Sequence, residues 1–260
     1  FDNQPYRVLL TGFGPTIRFP ENPSWLAVKP LHNTVLEAEG LYRPRPTLHD
    51  DQNAMIVDED GPRPRQIHIT SFLIPVEYDA VLACVPGIHS TPTVLPHTDN
   101  DGLPYIAPPD DGYDFILHVG IAGRGPLRME KVAHKLGYRL KDSKGNFAPV
   151  VAAESGFGKG FENFDDDVYT DIDVEKLVVH LKDSGIDQVY TSMDAGHYLC
   201  DFLYFSSLAA ARRDKRKNGH SPDRESDITK VLSIQIPPVG QPLSSEEVTE
   251  AIRRIILWVC

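Results

Sequence analysis

Cysteine is scarce in this chain. Three thiols, Cys84, Cys200 and Cys260, stand in 260 residues. Their number is odd and their spacing matches no zinc motif, which speaks against a disulfide framework and suits a reducing cytosol. Positive charge is also short: 26 Lys and Arg stand against 37 Asp and Glu, a formal net charge of −11. Without a basic face to grip phosphate, nucleic acid is excluded as a partner. No apolar run approaches the roughly 18–20 residues of a membrane span, so no membrane partner is expected. The opening "FDNQPYRVLLTGFG" lacks the charged, apolar and small-residue order of a secretory leader. These absences predict a cytoplasmic protein. The ten histidines include no H-E-x-x-H and no pair at helical spacing beside a Cys or carboxylate, so no metal site is indicated. "GIAGRG" and "GFGKG" fit neither the dinucleotide nor the P-loop pattern, so no cofactor is expected.

What is present is ordinary globular material, 41% hydrophobic and 24% charged, enough to bury a full core. "YRVLLTGFG" (Tyr6–Gly14) reads as a buried strand ending in glycines. The segment from Asn22 to about Leu36 reads as a helix capped by Ser24, with Trp25, Val28, Leu31 and Val35 on one face and Pro30 as a blemish. Gln66–Val76 reads as a strand, and "EYDAVLACVPGIHS" as a helix. Tyr113–Gly123 is a third strand, continued by "PLRMEKVAHKLGY"; the acidic, glycine-rich stretch after it shows no strong order. Asp171–Ile186 is the clearest helix, followed by the strand "DQVYTS", a helix from Cys200 to about Arg213, the strand "KVLSIQIP", and a closing helix capped by Ser244 or Ser245.

Strands alternating with helices predict an α/β fold, a single three-layer α/β/α domain over 1–260 with a mostly parallel twisted sheet. Polar loop insertions are expected near 43–66, 92–112 and 213–227. Sites in such sheets lie beyond the carboxyl ends of the strands. "TGFG", "GIAGRG" and "TSMDAGHYLC" all read as such ends.

One residue stands out chemically. In "SMDAGHYLC" the last residue, Cys200, sits after a turn and at the head of a helix, where the dipole and free N–H groups favour a thiolate. Cys84, in an apolar helix, and Cys260, at the end, read as inert. His118 inside a strand reads as a core residue, and Glu130 among "RMEKVA" gains interest only beside Cys200.

The blocks "VLLTGFGP" with "NPSW", "ILHVGIAGR" with "MEKVAHKLGY", "DAGHYLCDFLYFSSL" and "IPPVGQPLSSEEVTEAIRRII" resemble, in order and along nearly the whole chain, the pyroglutamyl peptidase I (pyrrolidone-carboxylate peptidase) family. The resemblance implies a cytosolic cysteine peptidase that removes N-terminal pyroglutamate through a Cys–His–Glu triad, and a homo-oligomer, since relatives often form dimers or tetramers. It assigns the nucleophile to Cys200 and the glutamate to Glu130. Arg124 matches an arginine that helps hold the substrate or oxyanion, and Phe13 the first phenylalanine of the lactam pocket.

Two positions depart from the pattern. The family histidine of "HVP" is replaced by Gln235, in "IQIPP", and the second pocket phenylalanine by Thr16. Glutamine does not titrate and cannot accept the thiol proton. The resemblance therefore implies a hydrolase of low or altered activity on a peptide or small molecule with a pyroglutamyl-like cap. His197 is a candidate substitute base, and His220 a weaker one. The alternatives are a pseudoenzyme that binds a capped peptide or small lactam without turnover, and a different Cys200-dependent acyl transfer or lactam opening.

Overall fold

The computed structural model describes residues 4–38, 64–96, 100–151, 154–217 and 229–260. In chain order its strands are β1 (Tyr6–Phe13), β2 (Thr34–Ala38), β3 (Arg65–Ile74), β4 (Phe115–Ile121), β5 (Leu127–Glu130), β6 (Val132–His134), β7 (Val150–Val151), β8 (Glu154–Ser155), β9 (Asp167–Tyr169), β10 (Val189–Ser192) and β11 (Lys230–Ile236). The α-helices are α1 (Pro23–Val28), α2 (Tyr78–Ile88), α3 (Val174–Asp183), α4 (Leu199–Lys217) and α5 (Ser245–Val259). Among the described residues, no helix is long and apolar enough to cross a membrane.

Seven strands form one sheet in the order β10-β5-β11-β4-β1-β3-β2. Pairings β1/β3, β1/β4, β11/β4 and β10/β5 are parallel, whereas β11/β5 and β2/β3 are antiparallel. The expected mostly parallel α/β sheet is therefore present. Two small antiparallel pairs, β6/β9 and β7/β8, order parts of the stretch that reads as irregular in sequence. The expected insertions at 43–66 and 213–227 lie largely, and that at 92–112 partly, outside the described residues.

Three sequence expectations are corrected. The segment from Asn22 to Leu36 is not one helix: α1 stops at Val28, and Pro30 falls in a 3₁₀ turn, Lys29–Leu31. Asn33 then takes φ 59° and turns the chain into the edge strand β2, leaving Val35 exposed. The cap is Asn22, whose Oδ1 accepts from Ser24 N–H at 3.1 Å, while Ser24 Oγ accepts from Phe13 N–H at 2.9 Å. Second, "PLRMEKVAH" does not continue the third strand. After Ile121 the chain turns through Gly125, at φ 128°, and β5 enters on the far side of β11, antiparallel to it. Third, β10 runs against β1, β3, β4 and β11, so "TSMDAGHYLC" does not begin at the same edge. Residues 193–198 carry the chain back to the carboxyl ends of β4 and β11.

Side chains alternate between the two faces of the sheet. On one face Val8, Leu10, Leu117, Val119, Leu127, Met129, Leu232, Ile234 and Ile236 pack with α1, α3 and α5 into an apolar layer. Helix α5 seats Ile252, Ile255 and Ile256 there, and begins with a capping box between Ser244 and Glu247, a device worth about 1 kcal/mol. The other face is covered by α2 and α4, with Phe157 stacked on Phe202 at 4.0 Å. Here the strands interleave polar residues: Thr11, His118, Ser233 and Glu130 stand level with one another across β1, β4, β11 and β5. One step toward the carboxyl ends, Gly120, Gln235 and Arg128 are level.

Candidate active site

Beyond the carboxyl ends of β1, β3, β4 and β11 opens a cavity of about 690 Å³, lined by residues that include Phe13, Thr16, Phe19, Val76, Ile121, Arg128, Asp194, Ala195, Tyr198, Cys200 and Gln235. Cys200 is the second residue of α4 and is half-buried. A side chain at Gly120 is impossible here, because its Cβ would lie 2.9 Å from Cys200 Cβ and 2.7 Å from Gln235 Oε1. The glycine of "LHVG" is thus what lets α4 bring its thiol down onto the sheet beside Gln235.

Helix position alone predicts a stabilised thiolate, but burial dominates and pushes the Cys200 thiol up to about 12. The Ile121 backbone amide and the Gln235 side chain favour the thiolate, while the carboxylates of Asp201 and Glu130 oppose it. Gln235 is 2% exposed, and its buried Nε2 has no hydrogen-bond partner apart from this approach to the thiol. The other two thiols are raised by burial as well, Cys84 to about 11 and Cys260 to about 12.

Glu130, the last residue of β5, is fully buried, and neither carboxyl oxygen has a partner at good hydrogen-bond geometry, the Ser192 side chain being the polar group that approaches it. Burial raises it from 4.5 to about 7, with the Ser192 side chain and Arg128 pulling down and Asp201 and Asp194 pushing up. It stands level with Ser233, one step deeper than Gln235, and does not line the cavity. His118 is a core residue, its Nδ1 2.8 Å from Thr11 Oγ1, although Nε2 is unpartnered.

Phe13 lines the cavity. Thr16 lines it too, but its Oγ1 accepts from Phe19 N–H at 3.0 Å in a turn that brings Phe19 into the lining. An aromatic ring three residues on thus joins the wall where Thr16 supplies none. Arg124 is exposed, one residue beyond the lining residue Gly123; the arginine in the lining is Arg128. Sequence reading missed Arg128, yet two-residue alternation with Glu130 along β5 places both on one face. His197 does not line the cavity: its Nδ1 lies 3.0 Å from Leu136 O and its ring 4.4 Å from His134. His220 lies outside the described residues. No histidine is among the described residues lining the cavity.

By architecture this is a three-layer α/β fold with a thiol at a helix head, opening into a cavity at the sheet's carboxyl edge. No family model matches the chain. It is 27% identical over 251 residues to pyroglutamyl-peptidase 1 of Rattus norvegicus, covering 96% of this chain and 87% of the relative. It is 26% identical over 229 residues to pyrrolidone-carboxylate peptidase 1 of Saccharolobus solfataricus, covering 86% and 82%. The crystal structure of pyroglutamyl peptidase I from Bacillus amyloliquefaciens matches with a TM-score of 0.61 at 23% identity, over 97% of this chain and 95% of that one. That of pyrrolidone carboxyl peptidase from Thermus thermophilus matches at 0.60 and 18%, over 96% and 98%. The chain is thus similar over most of its length to pyroglutamyl and pyrrolidone-carboxylate peptidases, and it shares the fold of their solved structures.

Proposed function

We propose that this protein is a pyroglutamyl-peptidase-like cysteine hydrolase, one domain over 1–260, with an acid–base step weakened by Gln235. The observation that carries the reading is the placement of Cys200 at the head of α4, in a cavity walled by Phe13 and Phe19. A capped peptide would set its lactam ring among these aromatic and apolar groups. Cys200 Sγ would attack the carbonyl that joins the ring to the next residue, and the amine would leave with a proton. Water would then cleave the thioester to release 5-oxoproline and restore the thiol. Amide N–H groups at the α4 start and Arg128, in the lining where Arg124 was expected, are suited to the developing oxyanion.

Among the described residues, the cavity lining holds no histidine to supply acid–base help. Of its lining carboxylates, Asp142 is engaged, its oxygens accepting from the N–H groups of Tyr78, Lys144 and Asn146, and Asp194 accepts from Gly196 N–H at 2.8 Å. General acid–base catalysis is worth about 10²–10⁴-fold, so turnover should be slow. Glu130 acts in this reading as a positioning and electrostatic group behind the wall. The composition supports a cytoplasmic protein acting on peptides without nucleic-acid or membrane partners; a homo-oligomer follows only from the family.

The second reading, a pocket that binds a capped peptide or small lactam without turnover, is favoured by Gln235 itself, a lining residue whose amide can donate and accept but cannot titrate. Release of coumarin from pyroglutamyl-aminomethylcoumarin separates the two. The hydrolase reading expects slow release that Cys200→Ala abolishes and Gln235→His accelerates. Release unchanged by Cys200→Ala sinks it. A silent wild type with an active Gln235→His variant puts the binding protein first.

A further inference from the structure

We infer that His134, His197 and Asp201 form a binding site for a divalent transition cation, zinc by its donor set, on the outer side of the α4 start. The three come from separate parts of the fold. His134 ends β6, His197 lies in the segment entering α4, and Asp201 is in the first turn of α4. Asp201 is fully buried, and its Oδ2 lies 2.8 Å from His134 Nδ1 and 3.8 Å from His197 Nδ1. The two imidazole rings stand 4.4 Å apart, tilted by 43°. One ligand atom from each residue falls within 4.8 Å of the others.

Two imidazole nitrogens and one carboxylate oxygen are a donor set of intermediate softness that suits zinc and its neighbours rather than calcium or magnesium. A tetrahedral zinc with bonds near 2.0–2.1 Å holds its ligand atoms about 3.3 Å apart. The two separations from Asp201 Oδ2, 2.8 and 3.8 Å, bracket that spacing and the third is at most 4.8 Å, so rotation of the partly exposed His197 ring toward the other two closes the site. Three protein ligands leave one position open, and His197, 40% exposed, provides the way in. The orienting contacts are in place too: Asp201 Oδ1 accepts from His134 backbone N–H at 3.0 Å, and this second hydrogen bond fixes the carboxylate.

The electrostatics favour a cation. Asp167, Asp194 and Asp201 all bear on His134, and Asp194 Oδ1 lies 4.0 Å from His197 Nε2. His197 itself adopts φ 46°, a conformation uncommon outside glycine, which directs its ring back onto β6. Binding would require each imidazole to release its Nδ1 proton, now directed at Asp201 Oδ2 from His134 and at Leu136 O from His197, and to keep the proton on Nε2. The bound ion would tie β6 to residues 194–198, several of which wall the cavity. It would thus act as a clamp on that wall, whichever chemistry the cavity performs.

The test uses the full chain carrying Cys200→Ser, so that the thiol cannot supply the ligand. Zinc is titrated while the thermal midpoint is followed, and cobalt(II) is added separately to read its visible ligand-field bands. The expected result is one saturable site, a midpoint that rises with zinc, and cobalt bands of a four-coordinate ion. His197→Gln should weaken binding by more than about tenfold while leaving the metal-free midpoint near that of the parent, since this ring is partly exposed. His134→Gln should do the same at some cost in stability, because it also severs the bond to Asp201. Absence of saturable binding, or binding indifferent to His197→Gln, overturns the inference. Loss of binding on Cys200→Ser alone does so as well, since it assigns the metal to the thiol.

Discussion

The two faces of the central sheet are built from the same strands and differ in almost every physical respect. Toward α1, α3 and α5 the strands present mainly aliphatic side chains, with Phe115 and Met129 among them, and the buried Ser71 is satisfied by donating to Val28 O at 2.7 Å. Toward α2 and α4 they present Thr11, His118, Ser233, Glu130, Gln235 and Arg128 among apolar neighbours. Several of these polar groups are buried without a partner at good hydrogen-bond geometry: His118 Nε2, both Glu130 oxygens, Ser233 Oγ and Gln235 Nε2. Unsatisfied buried groups cost stability, typically about 1–3 kcal/mol each. The first face therefore supplies the stability that the second gives up to hold a thiol, an amide and a raised carboxyl beside a cavity.

Moving polarity to the wrong face should break this division most severely. Ile234→Ser places a hydroxyl among α1, α3 and α5 and leaves a cavity, and should cost about 3–5 kcal/mol in urea unfolding. A cost below about 1 kcal/mol would show that the first face is more adaptable than its packing indicates.

Glu130→Gln should act in the opposite direction. The carboxyl titrates near 7 in the folded chain against 4.5 when free. Its folded value is raised, so its contribution is fully present below pH 4.5 and is lost as pH rises toward 7. Over that window Glu130 forfeits about 3 kcal/mol, an order-of-magnitude figure. The glutamine variant lacks this loss, so its stability relative to wild type should climb between pH 4.5 and 7.5. Parallel unfolding curves across that range would mean that Glu130 is ionised at little cost and partnered in solution.

Much of the fold was legible because its signals are local. Alternation marks the strands, the stripe Val174, Leu177, Val178 and Leu181 marks α3, and Ser244 with Glu247 marks the start of α5. Local signals fail where pairing is decided at a distance. Nothing in "PLRME" says that β5 will cross to the far side of β11 and run against it, and that step puts Arg128 level with Gln235. Cys200 was legible from its turn and helix, but its elevated titration was not, since burial comes from Gly120 and β11 rather than from its neighbours in sequence. The pairing of His134 with His197 and Asp201 spans more than sixty residues and has no spacing to betray it. Polar residues at every second position of otherwise apolar strands, as in "LHVG" and "SIQI", were the readable sign of the working face.

Ser233→Ala should have the smallest effect, and it probes the comparison most finely. Ser233 stands level with His118 on one side and Glu130 on the other, at the middle of the polar row. Its hydroxyl is buried and bonded to nothing, so alanine removes an unsatisfied group and almost no volume. The expected change in unfolding free energy is within about 1 kcal/mol of zero, on the stabilising side. A loss of about 2 kcal/mol or more would mean that the hydroxyl joins its two neighbours in solution. His118, Ser233 and Glu130 would then be one connected network, and single substitutions along it would fail to add.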